Sequence, residues 1–297
     1  MKKNIVVVTG GAGFVGSNLI ERLLKFNNLK IISIDNYSSG NRKNHLKDKN
    51  VRYIKGNTQN IEKYLHKYKK KILTIFHFGE FSRIYQSFIQ FEKCLEYNVL
   101  GSKSVFNFCL KNKIKLIYSA TSAAIGNKGN DKNLSPYAYT KNRNLEFLEN
   151  LKKWFNFKFE IIYFYNVYGK NHIKEGEMAT IIGIFETQFL KSKPLSVVRP
   201  GTQTRRFTHI SDTIDVCIDA WKKNKCKHYS IAAKKNYSIL QIAKLFGGKI
   251  KFLPKRPGER YASALTKMYL SNKVINKIGK RSIKSYINKF KKTYTNE

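Results

Sequence analysis

The sequence predicts an α/β fold: a doubly wound parallel sheet with a smaller, interleaved α/β substrate domain toward the C-terminus. Three observations carry that reading. Apolar runs of strand length alternate with helix-period segments through residues 1–165. The first run, Ile5 to Val8, is β-branched throughout and does not alternate with polar residues, as in a strand buried on both faces. It breaks at Gly10 and Gly11 into an amphipathic helix with Leu19, Leu23 and Phe26 on one side.

The glycines at 10, 13 and 16 have the chemistry of a dinucleotide turn. The first permits a tight bend, the second lets a pyrophosphate approach the backbone, and the third lets helix and strand pack closely. The amides of Phe14, Val15 and Gly16 then open the helix and face the anion. The spacing, Gly-x-x-Gly-x-x-Gly, differs slightly from the commonest Rossmann fingerprint. A second apolar run, Lys30 to Asp35, ends in a carboxylate about 20 residues after the last glycine, where an acid accepts hydrogen bonds from an adenosine ribose. Asp35 favours NAD over NADP, because a carboxylate repels a 2′-phosphate. Arg42 and Lys43 nearby weigh slightly against that preference.

Further elements follow in order. Residues 36–50 form a loop, and residues 51–55 a third strand that ends at Asn57-Thr58. A helix carries Ile61 and Leu65, and a fourth strand over 72–78 enters His77-Phe-Gly-Glu-Phe-Ser-Arg83. A long helical stretch runs through Cys94, Val105 and Cys109, and strand five covers 114–118. Ser135 caps a helix that opens with Pro136 and runs to about Trp154; strand six covers 159–164. Beyond it we expect a helix over 179–190, a strand over 195–198, a loop over 202–209, a helix over 211–221, a strand over 229–232 and a Ser238-capped helix. A Lys-rich helix ends the chain. The expected division is 1–165 with 205–228 for the cofactor domain, and 166–204 with 229–297 for the substrate domain.

Composition narrows the function. Four cysteines show no Cys-x-x-Cys pair and six histidines no zinc-type cluster, so four buried, reduced thiols, no metal site and a cytoplasmic protein are expected. No stretch reaches the ~18 apolar residues of a membrane span, and a strand within the first residues argues against a signal peptide. The chain carries 57 basic against 19 acidic residues, a net charge of +38. These are spread along the chain and are mostly Lys, not the Arg of bidentate recognition. We read them as solvated faces, with weak polyanion adhesion at low salt and no specific nucleic-acid partner.

Ligands of an open parallel sheet bind beyond the carboxyl ends of its strands. That rule selects Gly10, Gly13, Phe14, Val15, Gly16, Asp35, Asn36, Asn57, Thr58, Phe78, Gly79, Ser119 and Tyr165 as cofactor-binding candidates, with Thr121 and Asn166 on the same rim. Tyr137 and Lys141 stand four residues apart on the capped helix and so share a face. A second Tyr-x-x-x-Lys, Tyr269/Lys273, has no such setting and is read as incidental. A phenol with pKa ~10 is a poor base at neutral pH, but an adjacent ammonium and a positive nicotinamide both favour the phenolate. Tyr137 can then take a hydroxyl proton as hydride leaves the same carbon for NAD, with the Thr121 hydroxyl holding that oxygen.

With these residues in place, the chain resembles the extended short-chain dehydrogenase/reductase family, and its nucleotide-sugar epimerase/dehydratase branch over essentially the whole length. The resemblance implies NAD retained through the cycle, a nucleoside-diphosphate sugar bound by the C-terminal domain, and a homodimer joined through two helices of the first domain. It implies Thr121, Tyr137 and Lys141 as the catalytic set, the latter two also touching cofactor. Asn98 would support cofactor and helix. Asn166, Arg205, Arg256 and Glu259 would bind substrate, the arginines at its diphosphate. The acid pair that follows the Thr in 4,6-dehydratases is replaced by Ser122-Ala123, and the decarboxylases' Glu is missing. What remains is redox without an extra acid, which points to a UDP-glucose or UDP-N-acetylglucosamine 4-epimerase working through a 4-keto sugar. Asn166-Val-Tyr-Gly169 followed by residues 176–180 resembles the ADP-heptose 6-epimerases, whose NADP habit Asp35 fits less well, and a redox-silent nucleotide-binding protein is the reading from another class. The segment between Thr121 and Tyr137 is shorter than in many relatives. Ser263 falls where a gating side chain would stand. Glu80 and Arg83 would touch the sugar or pair with each other, with a local structural role favoured.

Overall fold

A computed structural model describes residues 4–125, 127–259 and 274–295. Its centre is an eight-stranded, wholly parallel sheet. The strands are β1 (Ile5–Thr9), β2 (Lys30–Asp35), β3 (Val51–Lys55), β4 (Ile72–His77), β5 (Lys115–Thr121), β6 (Phe159–Phe164), β11 (His228–Ala233) and β14 (Val274–Gly279), in the spatial order 14-11-6-5-4-1-2-3. Strand order reverses between β1 and β4, and a crevice opens at such a switch point. The remaining strands form three two-stranded pairs: β7 (Val167–Tyr168) with β10 (Thr208–His209), β8 (Leu195–Val198) with β13 (Ile250–Leu253), and β9 (Thr204–Arg206) with β12 (Asn236–Ser238).

The unalternated run in β1 has a direct cause. Ile5 and Val7 enter one core with Phe106, Leu116 and Tyr118, while Val6 and Val8 enter another with Leu19, Ile117 and Cys217. Each face of the sheet is covered, so neither set of alternating side chains meets water. α1 (Phe14–Leu23) and α8 (Ile210–Lys223) cover one face. The other is covered by α2 (Ile61–Leu65), α5 (Ser102–Lys111) and α6 (Pro136–Phe155). Before α5 stand α3 (Gln86–Ile89), α4 (Phe91–Leu95) and a wide π turn at Glu96–Gly101. A third core gathers Tyr168, Phe185, Leu195, Phe246 and Ile287 from α7 (Ile181–Leu190), α9 (Ile239–Phe246), α10 (Ile283–Thr295) and the short strands.

The α6 boundaries follow from chemistry visible in the sequence. Ser135 accepts a hydrogen bond from the Ala138 amide at 3.1 Å, Pro136 opens the helix, and Asn156 closes it at φ +51°. Ser238 and Gln241 complete a capping box for α9.

Four expectations are corrected. Residues 229–233 and 274–279, expected in the second domain, extend the large sheet: His228 to Ser230 pair with Ile161 to Tyr163, and Tyr229 and Ile231 bury against it. β5 reaches Thr121 instead of ending at Tyr118, because pairing continues from Ser119 with Ile162 to Thr121 with Phe164. The expected loop over 202–209 contains β9 and β10, which pair with strands distant in sequence. Of the thiols, Cys94, Cys109 and Cys217 are buried but Cys226 only half so.

Candidate active site at the switch point

At the carboxyl ends of β1, β2, β4 and β5 lies a cavity of about 450 Å³. Gly10, Gly13, Phe14, Val15 and Gly16 form one wall. Gly10 has φ +70°, and a Cβ there would stand 2.9 Å from the Phe78 carbonyl and the Gly79 amide. A Cβ on Gly16 would come within 2.1 Å of the Gly10 carbonyl oxygen. The turn, the β4 exit and the start of α1 are therefore packed backbone to backbone, which leaves the first amides of α1 open to the cavity.

Asp35 lies on the same wall, 7% exposed, and accepts the amides of Ala12 at 2.9 Å and Tyr37 at 2.8 Å. Burial nonetheless raises its pKa above the usual carboxylate value, the amides opposing. These two bonds fix the carboxylate and leave acceptor capacity for a ribose diol. Asn36, Asn57, Thr58, Phe78 and Gly79 complete this half, with Asn36 donating to Asn57 at 2.9 Å. Arg42 sits over the Tyr37 ring, 5.8 Å from its centroid, and is not on the cavity wall. A glycine cradle, a helix start and a ribose-height acid fit a dinucleotide.

Ser119, Thr121, Tyr137 and Lys141 share the adjoining wall. Lys141 is buried, and its ammonium donates to the Ser119 carbonyl at 2.5 Å and to the Glu80 carboxylate. Burial lowers the Lys141 pKa, and Glu80 opposes that shift. Thr121 accepts the Ala123 amide at 3.1 Å, and Ser122 and Ala123 follow it where an acid pair would act in a dehydratase. Tyr137, in the first turn of α6, has its amide held by the Ser87 hydroxyl at 3.2 Å.

Glu80 is the centre of a buried network. One oxygen takes the Lys141 ammonium; the other accepts Ser102 Oγ at 2.8 Å, the Tyr118 hydroxyl at 2.9 Å and Asn144 Nδ2 at 3.2 Å. The chain behind it can be oriented atom by atom. Thr9 Oγ1 accepts the amides of Phe78 and Gly79 at 3.1 and 3.0 Å, so its proton points to His77 Nδ1 at 2.7 Å. His77 then keeps its proton on Nε2, which donates to Ser102 Oγ at 3.0 Å, and Ser102 donates onward to Glu80. His77 is neutral in this arrangement, and burial brings its pKa down to about 4. Glu80 and Arg83 do not pair with each other. Arg83 reaches the cavity wall but gives Nε and Nη2 to the Met178 carbonyl, at 2.9 and 2.6 Å, anchoring the segment before α7.

On the far side, Asn166, Arg205, Arg256 and Glu259 line the cavity. Arg205 donates to Glu259 at 2.6 Å, so these two candidates face each other. Arg256 lies exposed at the rim with its guanidinium 4.8 Å from the Tyr85 ring centroid. Asn166 has φ +31° and donates to the Arg206 carbonyl at 3.4 Å.

Two candidates are not on the wall. Tyr165 is buried in the core and its hydroxyl accepts Ser230 Oγ at 3.1 Å. Asn98 is wholly buried behind the cavity: its carbonyl side-chain oxygen accepts the Phe81 amide at 2.6 Å and its Nδ2 donates to Thr140 at 3.1 Å. It sits in the π turn, where a main-chain carbonyl escapes the helix ladder, and its own carbonyl accepts Asn144 Nδ2 at 2.6 Å. Gln203 was not foreseen; it lines the cavity with a buried Oε1 that has no partner, and only the tertiary pairing of β9 puts it there. Ser263, Tyr269 and Lys273 lie outside the described residues.

Residues 6–232 match the family described as the NAD dependent epimerase/dehydratase family. A Methanocaldococcus jannaschii protein with the provisional name UDP-glucose 4-epimerase is 26% identical, over 93% of this chain and 92% of its own. An ADP-L-glycero-D-manno-heptose-6-epimerase of Brachyspira hyodysenteriae is 27% identical, over 81% and 79%. Among solved structures, the UDP-N-acetylglucosamine 4-epimerase of Methanobrevibacter ruminantium superposes with TM-score 0.84 at 24% identity, covering 100% of this chain and 99% of that one.

Proposed function

The chain belongs to the NAD dependent epimerase/dehydratase family, with NAD as its cofactor, and from that premise we propose that it is a nucleoside-diphosphate-sugar epimerase, acting at carbon 4 of a UDP-hexose. The observation that carries this reading is the wall of Ser119, Thr121, Tyr137 and Lys141 with Ser122-Ala123 in place of an acid pair. Such a wall supports removal and return of a hydroxyl proton and offers no acid directly after Thr121 to expel water from the neighbouring carbon. Glu80, which also lines the cavity, is engaged by Lys141, Ser102, Tyr118 and Asn144.

In this reading Gly10, Gly13, Phe14, Val15 and Gly16 hold the dinucleotide pyrophosphate, Asp35 and Asn36 its adenosine ribose, and Asn57, Thr58, Phe78 and Gly79 the adjoining wall. NAD supplies a reversible hydride acceptor. Tyr137 takes the proton of the sugar hydroxyl, Lys141 favours its phenolate, and Thr121 holds the same oxygen in line. Asn166, Arg205 and Arg256 hold the substrate diphosphate, and Glu259 orients Arg205. Residues from the third core and the short strand pairs make the substrate side. The same reading carries a homodimer: Val99, Leu100, Tyr139 and Phe147 are large, apolar and exposed on the π turn and α6. A Leu100→Glu variant should sediment as a monomer, and an unchanged sedimentation coefficient would remove this face from the interface.

The test is a panel of UDP-, GDP- and ADP-sugars incubated with NAD-loaded protein and followed by NMR. Inversion at carbon 4 of a UDP-hexose is expected. Inversion at carbon 6 of an ADP-heptose would move the assignment to the Brachyspira-like activity. Turnover of none of them would reject epimerisation.

A further inference from the structure

We propose that Glu80 is a positioning residue that keeps Lys141 in its ammonium form, and so sets the upper pH limit of Tyr137-dependent chemistry. The inference rests on the Tyr137/Lys141 assignment above. Lys141 is 4% exposed and Glu80 2%, so neither charge has water to stabilise it. An amine that loses its solvation shifts toward the neutral form, and Lys141 does so with Glu80 already opposing the shift.

The carboxylate is held in place from behind. Ser102, Tyr118 and Asn144 converge on its other oxygen, and Ser102 is itself ordered by the Thr9–His77 chain. Glu80 therefore cannot swing away from Lys141 without leaving the Ser102 and Tyr118 hydroxyls unsatisfied in the interior, while Asn144 would keep the Asn98 carbonyl. The groups that face the pair are His77 from β4, Tyr118 from β5, Cys94 from α4, and Tyr137 one turn before Lys141 on α6. His77 is neutral, and burial raises the Cys94 and Tyr118 protons above their ordinary values, so none of these three is a counter-charge near neutral pH. Of these facing groups and Glu80, Glu80 is the permanent counter-charge to the ammonium before Tyr137 ionises; the Ser119 carbonyl at 2.5 Å and the Tyr118 ring, 4.7 Å from its centroid, add uncharged contacts.

Competitive acetylation over a pH series, read by mass spectrometry at Lys141, reports its ionisation without turnover. The kcat profile on UDP-galactose reports the consequence. In Glu80→Gln, the acetylation midpoint and the alkaline limb of kcat should both move to lower pH by about one unit or more. Glu80→Asp keeps the charge at a longer reach and should move both by less. A Glu80→Gln protein with wild-type circular dichroism and an unmoved Lys141 midpoint overturns the proposal, even if kcat falls equally at all pH values. Should Glu80→Gln not fold, an unmoved midpoint in Glu80→Asp overturns it equally. Failure of the epimerase reading would show as absent sugar inversion in the wild type, while the acetylation midpoints would still decide the role of Glu80.

Discussion

The two walls of the cavity are built differently. The cofactor and Thr/Tyr/Lys side rests on the central parallel sheet, and its polar groups are buried in a network with an assignable direction from Thr9 to Glu80. The opposite side rests on two-residue and three-residue strand pairs and carries an exposed Arg256 and a mutually paired Arg205 and Glu259. The first wall is preorganised, as reacting atoms require. The second has cations that an anionic substrate can engage, at the cost of rearranging one existing ion pair. Substitutions on the first should lower turnover, and substitutions on the second should weaken binding.

The sharpest test of that division is Tyr137→Phe. It removes one oxygen from a side chain otherwise held by packing, so NAD and nucleotide-sugar binding should persist while kcat falls by ~10²-fold or more. Stopped-time NMR of sugar inversion, with calorimetry for binding, measures both. Retained turnover would mean that the proton goes elsewhere. Next is Gly16→Ala, which places a methyl 2.1 Å from the Gly10 carbonyl oxygen and 2.8 Å from the Gly11 Cα, both backbone atoms. We expect a loss of about 2 kcal/mol in stability by denaturant titration, together with weakened NAD binding. An unchanged midpoint would show that α1 can move away from β1.

On the substrate wall, Arg256→Ala should raise KM by about tenfold, the worth of a charge-assisted hydrogen bond at a partly exposed site, and leave kcat nearly untouched. A fall in kcat without a change in KM would put Arg256 on the reacting side and erase the contrast between the walls.

Much of the preorganised wall is legible because its signals are local. The β-branched run of β1, the glycines, Asp35, the Ser135-Pro136 cap and the four-residue spacing of Tyr137 and Lys141 each act within one element or one turn. The role of Glu80 is not legible in that way. Its partners come from residues 102, 118, 141 and 144, and only the sheet order 5-4-1 with two helices packed over it brings them to one carboxylate. The one local hint was an acid at the exit of β4 in a chain where acids are scarce. The expected division misplaces residues 229–233 and 274–279 for a similar reason: a parallel strand carries no mark of which sheet it joins. The family resemblance implies Asn98 as support for cofactor and helix, and Tyr165 is placed on the rim by its position at the end of strand six. The π turn carries Asn98 behind the wall, and the burial of Tyr165 takes it into the core.

The smallest expected effect separates the two halves of the cofactor wall. Burial disfavours the charged form of Asp35, so its proton returns at a higher pH than for an exposed carboxylate, despite the amides of Ala12 and Tyr37. Protonation would convert one acceptor of the ribose diol into a donor, whereas the amides at the start of α1 that face the pyrophosphate do not titrate. Acidification should therefore weaken NAD by only a few-fold, the difference of one hydrogen bond of about 1 kcal/mol. The decline should begin above the ordinary carboxylate range. Calorimetric titration of NAD from neutral to mildly acidic pH measures it, and Asp35→Asn should bind more weakly at neutral pH while losing that pH dependence. Persistence of the same dependence in Asp35→Asn would assign it to another group, and the ribose contact would then lie elsewhere on the wall.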